Sequence, residues 1–358
     1  MDSPDPATAP APAEPPAGQP AAPSAAVTPV AIGSHPSPAP ERALRSLFLA
    51  LARRRSLGRL ATRLPLSRAM VARFVAGQTL DEALVAIGRL HGAGFNSTVD
   101  VLGESVGSPE AAAIAAERYV GTLDALAAAG LDGNVSVKLS QMGLASDTEG
   151  CQANLERILE RAAAHGAFVR VDMEDHSTTD ATLALVRLLR PRYRELGVVV
   201  QAALRRSPDD IESLVREGTR VRLCKGAYNE PPSVALTDKV AVDRQFAVLM
   251  DRLLRDGTYP AIATHDERLI RRAVDLAKRE GIGRERFEFQ MLFGVRRDLQ
   301  ERLVADGWTV RVYVPYGTEW YPYFMRRLAE RPANVTFVLR SILREGRSTG
   351  STPGAGST

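Results

Sequence analysis

Short apolar segments rich in β-branched residues alternate with longer helical segments from Leu80 onward, and this alternation constrains the fold more than any other feature of the chain. The strand candidates are Ser97–Val101, Val135–Lys138, Phe168–Val171, Val198–Gln201, Val221–Leu223, Ala261–Thr264, Phe287–Gln290 and Val310–Val314. Strands that alternate with helices form parallel sheets, and eight strands close a (β/α)8 barrel. We therefore predict an α/β fold built on a barrel of the TIM type.

The segments between the strand candidates have helical spacing of apolar residues. They include Pro109–Ala129, Gln152–His165, Asp180–Leu189, Ser233–Asp256, Glu267–Arg279 and Asp298–Ala305. Ser108 and Ser207 each precede a proline, a pattern typical of a helix N-cap followed by proline at the first helical position. A doubly wound open sheet is the alternative fold. It is disfavoured because no G-x-G-x-x-G fingerprint follows the first strand candidate.

Composition divides the chain into four parts. Residues 1–40 hold twelve of the 23 prolines and almost no large apolar side chains, so we expect a disordered tail. Residues 41–79, with nine arginines between positions 42 and 73, are predicted to form a basic helical arm. The catalytic barrel is predicted over 80–345, and a second disordered tail over 346–358.

The remaining composition excludes several classes of protein. The formal net charge is +4, and residues 1–40 contribute −3, so residues 41–358 carry a net charge of +7. This surplus is too small to indicate a nucleic-acid partner, and none is expected. The longest apolar runs are far shorter than the roughly 20 residues that span a bilayer. Cys151 and Cys224 stand far apart without a C-x-x-C motif, so they predict neither a disulfide framework nor a zinc site and favour reduced cytosolic thiols.

Large polar side chains stand at the ends of successive strand candidates. They are Lys138, Asp172, Gln201, Arg222, Lys225, Thr264, His265, Gln290 and Tyr313. In a barrel these ends converge on one mouth, where chemistry belongs. Burial of such groups is costly unless they are paired or bind a ligand. Lys138 and Asp172, on neighbouring strands, are expected to form an ion pair across the mouth.

A second cluster follows the last strand. Tyr323, Arg326, Arg327 and Glu330 are spaced three and four positions apart, which places them on one side of a helix. Two adjacent guanidinium groups can hold one carboxylate, and Glu330 can hold the guanidinium groups in place. Together with the strand-end residues, this pair indicates a substrate that bears a carboxylate.

The turn Lys225–Ala227 combines a cation with two small residues after a strand, so a phosphate or an isoalloxazine edge could approach its backbone closely. The five histidines form no H-x-x-x-H or H-E-x-x-H pattern, and neither a P-loop nor a G-x-S-x-G motif is present. Hydrolysis by zinc or by a serine triad is therefore disfavoured.

From about Phe74 to Leu343 the chain resembles the flavin-dependent proline dehydrogenases, in their compact monofunctional bacterial form. The matching motifs are VRVDMED at 169–175, VRLCKGAY at 221–228, ATHD at 263–266, FEFQMLFG at 287–294 and RVYVPYG at 311–317, followed by Arg326 and Arg327. The resemblance implies a distorted barrel with extra N-terminal helices that holds FAD. It further implies that L-proline is oxidised to Δ1-pyrroline-5-carboxylate, the first step of its catabolism to glutamate, and that a membrane quinone takes the electrons.

The resemblance also implies residue roles. Asp172, Arg222 and Tyr313 would be catalytic, whereas the proline-binding residues would be Lys138, Arg326, Arg327, Tyr323 and Glu330. The FAD-binding residues would be Met173, Gln201, Arg222, Lys225, Gly226, Ala227, Thr264, His265 and Gln290. A cation beside the flavin is chemically sensible because reduction builds negative charge on the ring. Ala203, Cys224 and Asn229 depart from the family pattern, and Ala203 is expected to loosen the pocket.

Two alternatives remain at this level. One is another flavin-dependent barrel oxidoreductase, such as an enzyme that reduces a folate, although the two arginines and Tyr313 argue against it. The other is a protein that binds membranes or nucleic acid through its basic arm. The chain is expected to be cytoplasmic, and a peripheral contact with the inner face of the membrane is compatible with catalysis because the oxidant is lipid-soluble.

Overall fold

The computed structural model describes residues 72–103, 106–321 and 323–325 of the chain. Within them, eight parallel strands close into a barrel in the order of the sequence. The strands are β1 (Asn96–Val101), β2 (Asn134–Val137), β3 (Phe168–Val171), β4 (Leu196–Gln201), β5 (Val221–Cys224), β6 (Ala261–Ala263), β7 (Glu288–Leu292) and β8 (Val310–Tyr316). The predicted barrel is confirmed, and the open-sheet alternative is wrong.

Eight α-helices lie wholly within the described part of the chain, and residues 72–74, 320–321 and 323–325 are helical as well. The eight are α1 (Leu80–Gly92), α2 (Pro109–Ala128), α3 (Thr148–Ala164), α4 (Thr179–Leu189), α5 (Ser207–Arg216), α6 (Lys239–Asp256), α7 (Glu267–Glu280) and α8 (Arg297–Ala305), with short 3-10 helices at His176–Thr178 and Arg284–Arg286. Helix α1 precedes the barrel and begins with a capping box, in which the Thr79 hydroxyl accepts from the Glu82 amide and the Glu82 carboxylate accepts from the Thr79 amide.

The barrel closes where β1 pairs with β8 over six residue positions, from Asn96 opposite Arg311 to Val101 opposite Tyr316. Because side chains alternate along a strand, one set points outward to the helices and the other points into the barrel. The outward set forms the apolar core with the helices. It includes Val99, Val135, Val169, Val198 and Val312, all essentially inaccessible to solvent.

Charged side chains fill the barrel interior at the amino-terminal ends of the strands. Arg311 donates to both carboxylate oxygens of Glu288, at 2.9 and 3.0 Å, and to the Ser97 carbonyl at 2.7 Å. Burial alone would raise the pKa of Glu288, but the Arg311 guanidinium lowers it below the ordinary value. Arg170 donates to the carbonyls of Val198 and Arg220. These contacts close the end of the barrel opposite the mouth.

Three predicted helix starts differ from the structure. The first is that of α3, which begins at Thr148 rather than at Gln152 because Asp147 caps it by accepting from the Gly150 amide. Ser108 caps α2 as expected, since its hydroxyl accepts from the Ala111 amide, but Ser207 is not an N-cap. Its hydroxyl donates to the Gln201 carbonyl at 2.6 Å, and α5 begins at Ser207 itself because Arg206 already has helical dihedral angles.

The helix predicted from Ser233 instead begins at Lys239, where the Asp238 carboxylate accepts from the Ala241 amide. Residues 234–236 are engaged elsewhere. The Val234 carbonyl accepts from the Arg205 amide, and the Leu236 amide donates to the Ala203 carbonyl, so this stretch pairs with the turn after β4. Tertiary pairing therefore overrides the local helical pattern.

A second apolar cluster lies where β1 and β8 end. It joins the segment before α1 to the segment after β8 and contains Phe74, Val75, Leu102, Trp320, Tyr321, Tyr323 and Phe324. Gly294, after β7, has a φ of +74°, and a Cβ there would lie 1.6 Å from the Arg73 carbonyl oxygen. Only glycine permits the chain before α1 to pass this close to the rim.

In the described ranges, every helix is too short or too polar to cross a bilayer. The predicted tails at 1–40 and 346–358, nearly all of the basic arm at 41–79 and the final residues of the predicted barrel domain lie outside these ranges. The predicted domain boundaries therefore stay predictions.

Candidate active site

Five side chains on or directly after five strands, β1, β2, β3, β5 and β8, meet at the mouth of the barrel, and we call them the mouth cluster: Asp100, Lys138, Asp172, Arg222 and Tyr313. Arg222 donates to Oδ1 of Asp172 at 2.7 Å, and the Tyr313 hydroxyl donates to Oδ2 at 2.8 Å. Lys138 Nζ lies 3.6 Å from Oδ2 of the same carboxylate. The predicted ion pair across the mouth is therefore present.

Asp100, at an inward position of β1, was not recognised in the sequence. Its carboxylate is 1% exposed and accepts from Lys138 Nζ at 2.6 Å. Ser136, inward on β2, was also missed, and its hydroxyl accepts from Arg222 Nη2 at 3.0 Å. Both residues could have been found from the sequence, because each is a polar residue at an inward position of an otherwise apolar strand. Burial of such a group requires a partner.

The mouth cluster balances two carboxylates against two cations. Burial alone would lower the pKa of Lys138, but the Asp100 and Asp172 carboxylates raise it above its ordinary value, so the ammonium stays charged. Burial, and next the same two carboxylates, raise the pKa of Tyr313 well above its ordinary value, so the phenol keeps its proton. The Arg222 guanidinium carbon lies 5.3 Å from the centre of the Tyr313 ring. The cluster is thus a fixed array of charges with a phenol donor.

The predicted cofactor residues lie within β4, β5 and β7 or on the loops that follow β3, β5 and β6. Gln201 is 3% exposed and donates from its amide nitrogen to the Glu174 carbonyl at 2.7 Å. Glu174, which the sequence prediction left out, accepts from both the amide and the hydroxyl of Ser140. The rim after β2, β3 and β4 is therefore connected by hydrogen bonds, and Met173, the residue before Glu174, is buried.

On the opposite side of the mouth, His265 and Thr264 have defined backbone partners. Nε2 of His265 accepts from the Leu292 amide at 2.9 Å, so a neutral imidazole carries its proton on Nδ1. The Thr264 hydroxyl accepts from the Asp266 amide at 3.1 Å. These contacts fix both side chains against the ends of β6 and β7.

Gly226 adopts a φ of +110°, outside the range that side chains tolerate well, and Ala227 follows it in the same turn. A Cβ at Gly226 would lie 3.1 Å from Ala203 Cβ and 3.3 Å from Gln201 Oε1. The turn after β5 therefore packs closely against the end of β4. Ala203, one of the residues that depart from the family pattern, has a small side chain and so leaves part of the space that this turn occupies.

Four buried polar atoms inside the barrel have no hydrogen-bond partner among the described residues: Oδ1 of Asn134, Nε of Arg170, Nε of Arg222 and Oε1 of Gln290. The amide nitrogen of Gln290 is engaged by Glu288 at 2.5 Å, which leaves its oxygen for another donor. A bound water or ligand can satisfy a buried polar atom that has no partner in the protein.

The structure describes only one of the remaining predicted substrate residues. Tyr323 is described and lies buried in the second apolar cluster beside Trp320 and Phe324. Arg326, Arg327 and Glu330 lie outside the described residues, so their proposed roles rest on the sequence.

Comparison with known proteins identifies the family. The family model for proline dehydrogenase matches residues 83–340. Proline dehydrogenase 1 of Bacillus subtilis subsp. natto is 40% identical over 302 residues, which cover 84% of this chain and 100% of that protein. Proline dehydrogenase of Deinococcus radiodurans is 42% identical over 277 residues, covering 76% of this chain and 89% of that protein.

Solved structures share the fold. A crystal structure of proline utilization A from Bdellovibrio bacteriovorus, inactivated by N-propargylglycine, superposes with a TM-score of 0.68 at 27% identity and covers 73% of this chain. The protein of that name from Bradyrhizobium japonicum superposes with a TM-score of 0.63 at 24% identity, over 75% of this chain. This chain spans 32% and 31% of those longer chains, so only one part of them is matched.

Proposed function

This chain belongs to the proline dehydrogenase family, and on that basis we propose that its barrel mouth binds FAD together with L-proline and oxidises the amino acid to Δ1-pyrroline-5-carboxylate. Family membership makes the protein an oxidoreductase that acts on proline, in the first step of proline catabolism. The cofactor, the acceptor and the residue roles are our proposal.

The mouth cluster is the observation that carries the proposal. Proline enters as a zwitterion, with no net charge, and the cluster is also balanced. We assign the substrate carboxylate to the cations, Lys138 together with Arg326 and Arg327, and the ring nitrogen to the side of the Asp172 carboxylate. Complementary charges hold a small substrate in one orientation, which brings the reacting carbon to a fixed position.

The catalytic positions are Asp172, Arg222 and Tyr313. The hydrogen bonds from Arg222 and Tyr313 reach both oxygens of Asp172, so the carboxylate cannot rotate freely. The Tyr313 ring supplies an apolar surface for the proline ring, and Tyr323 would line the same pocket. Glu330 is assigned to hold Arg326 and Arg327, as the helical spacing indicates.

The residues at the mouth fit a flavin. The unpartnered Arg222 Nε and Gln290 Oε1 offer a donor and an acceptor in a buried position, as the polar edge of an isoalloxazine requires. The Gly226 turn gives a small-residue surface, and Lys225 a cation beside it. The holding residues would be Met173, Gln201, Arg222, Lys225, Gly226, Ala227, Thr264, His265 and Gln290. When bound, FAD supplies the acceptor for the hydride that leaves proline.

A membrane quinone is the proposed final electron acceptor. Support comes from the arginine-rich sequence between positions 42 and 73, which is suited to an anionic lipid surface. We accordingly propose a cytoplasmic protein that contacts the inner face of the membrane peripherally. The surplus of cations is too small to favour a nucleic acid as partner.

An anaerobic visible spectrum of the purified protein, recorded before and after L-proline is added, tests the proposal. A yellow protein that bleaches with L-proline and keeps its colour with D-proline is the expected result. A yellow protein that L-proline does not bleach would overturn the substrate assignment, and one that a folate bleaches would favour the alternative oxidoreductase. A protein that cannot be loaded with FAD would overturn the cofactor.

A further inference from the structure

A buried ion cluster stands behind the turn after β5, and neither the sequence motifs nor the family assignment gives it a role. The Asp243 carboxylate, in the second turn of α6, is 2% exposed. Its Oδ1 accepts from Lys225 Nζ at 2.5 Å, and its Oδ2 accepts from Lys239 Nζ at 2.6 Å. Arg268 Nη2 lies 3.5 Å from the same Oδ2. A buried carboxylate is tolerated only with such compensation.

Lys225 is held by a second carboxylate as well. Oδ2 of Asp266, the N-cap of α7, accepts from Lys225 Nζ at 3.1 Å. Burial alone would raise the pKa of Asp266, but Arg268 and Lys225 lower it well below its ordinary value, so the carboxylate stays charged at neutral pH. The ammonium of Lys225 therefore joins three separate elements, the end of β5, α6 and the start of α7.

The geometry leaves one donor of Lys225 for a ligand. An ammonium group has three N–H bonds. Two are used by Asp243 and Asp266, and no acceptor for the third is found among residues 72–103, 106–321 and 323–325. The Lys225 side chain is 29% exposed, unlike Asp243 behind it.

We propose that Asp243 is a positioning residue for the cofactor: its buried carboxylate, with Asp266, fixes the Lys225 ammonium so that the remaining N–H serves bound FAD. This inference rests on the proposed function, since it takes Lys225 as a contact of the cofactor. Two fixed acceptors leave the third N–H a single direction. A freely rotating lysine would instead lose side-chain entropy each time the cofactor bound.

The two oxygens of Asp243 provide a matched control. Lys239 contacts Oδ2 from the solvent side, with 67% of its side chain exposed, whereas Lys225 contacts Oδ1. Lys239→Met therefore removes one cation from the same carboxylate without touching the contact that the proposal requires. If Asp243 merely balanced charge in the fold, removal of Lys239 and of Lys225 should have similar effects.

The test measures the rate at which purified, FAD-loaded full-length protein releases FAD, followed by the rise of FAD fluorescence on dilution. We expect Lys225→Met and Asp243→Asn each to accelerate FAD release about tenfold. The double variant should release FAD at a rate within about twofold of either single variant, because both substitutions remove the same contact. Lys239→Met should stay within about twofold of the unmodified protein. The KM for proline of the FAD-saturated Asp243→Asn variant should also stay within about twofold, because the substrate contacts lie elsewhere.

Three outcomes would overturn the inference: an unchanged release rate in Asp243→Asn, an effect of Lys239→Met as large as that of Asp243→Asn, or multiplied effects in the double variant. If Asp243→Asn does not yield folded protein, Asp266→Asn replaces it, since that carboxylate is 16% exposed. The double variant of Asp266→Asn with Lys225→Met should again release FAD about as fast as either single variant. Failure of the proposed function is seen separately, in the spectrum of the unmodified protein with FAD and proline.

Discussion

The Tyr313 hydroxyl donates a 2.8 Å hydrogen bond to Oδ2 of Asp172. Tyr313 lies on β8 and Asp172 follows β3, so the bond crosses the seam at which β8 pairs with β1. The same hydroxyl accepts from Lys138 Nζ at 3.3 Å. One phenol thus links the carboxylate assigned to the ring nitrogen with the cation assigned to the substrate carboxylate. This arrangement makes Tyr313 more than an apolar wall for the pocket.

Replacement of Tyr313 by phenylalanine removes both hydrogen bonds and keeps the ring. We expect kcat/KM for L-proline to fall about tenfold to hundredfold, the range for loss of a hydrogen bond to a charged group. Steady-state kinetics with an artificial electron acceptor measures the change. The FAD content should match that of the unmodified protein, and an unaltered kcat/KM would show that the hydroxyl has no part in the site.

Asp100→Asn should shift the pH dependence of proline oxidation. The Asp100 carboxylate helps to raise the pKa of Lys138, whereas burial lowers it. Loss of the negative charge therefore lowers the Lys138 pKa, and the ammonium is lost at a lower pH. The alkaline decline of kcat/KM should begin at lower pH in the variant. A profile of kcat/KM against pH measures this, and superimposable alkaline limbs would contradict it.

Arg326→Met or Arg327→Met should raise the KM for proline about tenfold or more, because each would remove the charge-assisted contact that we propose to the substrate carboxylate. The amount of bound FAD should not change. Arg187→Met is the control, since Arg187 pairs with Glu217 on the outer surface of the barrel. A KM equal to that of this control would remove the two arginines from the substrate site.

Gly226→Ala should release FAD and lower stability. The residue has a φ of +110°, and the new Cβ would stand 3.1 Å from Ala203 Cβ, so we expect a cost of about 1–3 kcal/mol. Gly281→Ala is the matched control, because Gly281 has a φ of +67° and open space around it. Thermal unfolding should detect a loss in both variants, but only Gly226→Ala should lose flavin absorbance. Equal flavin content in the two would place the cofactor away from this turn.

The barrel could be predicted from the sequence because its strands are short apolar runs separated by long helical segments. Every strand prediction falls within two residues of an observed boundary. The helix start at Lys239 could not be predicted, since it depends on the pairing of residues 234–236 with a turn some thirty residues earlier. Ser207 likewise meets the requirements of a cap, but the Gln201 carbonyl provides its hydroxyl with another partner.

The candidate site could be predicted in part because several of its residues stand at the ends of predicted strands. Lys138, Asp172 and Arg222 stand at strand ends, where the barrel hypothesis directs attention. Asp100 was missed because it lies within a strand prediction, and a single polar residue inside an apolar run carries little signal. Asp243 was missed because a charged residue on a helix usually faces solvent, and its burial depends on Lys225 and on α7, both distant in the sequence.

The seam between β1 and β8 has a consequence for the way the chain folds. Its six paired positions join residues more than two hundred apart in sequence, so the ring cannot close until nearly the whole barrel has been synthesised. Before that moment β1 exposes an unpaired edge, which is a template for association with other chains. Premature termination ahead of Val310 should therefore yield aggregating material rather than a smaller soluble domain, and closure of the seam should limit the rate of folding.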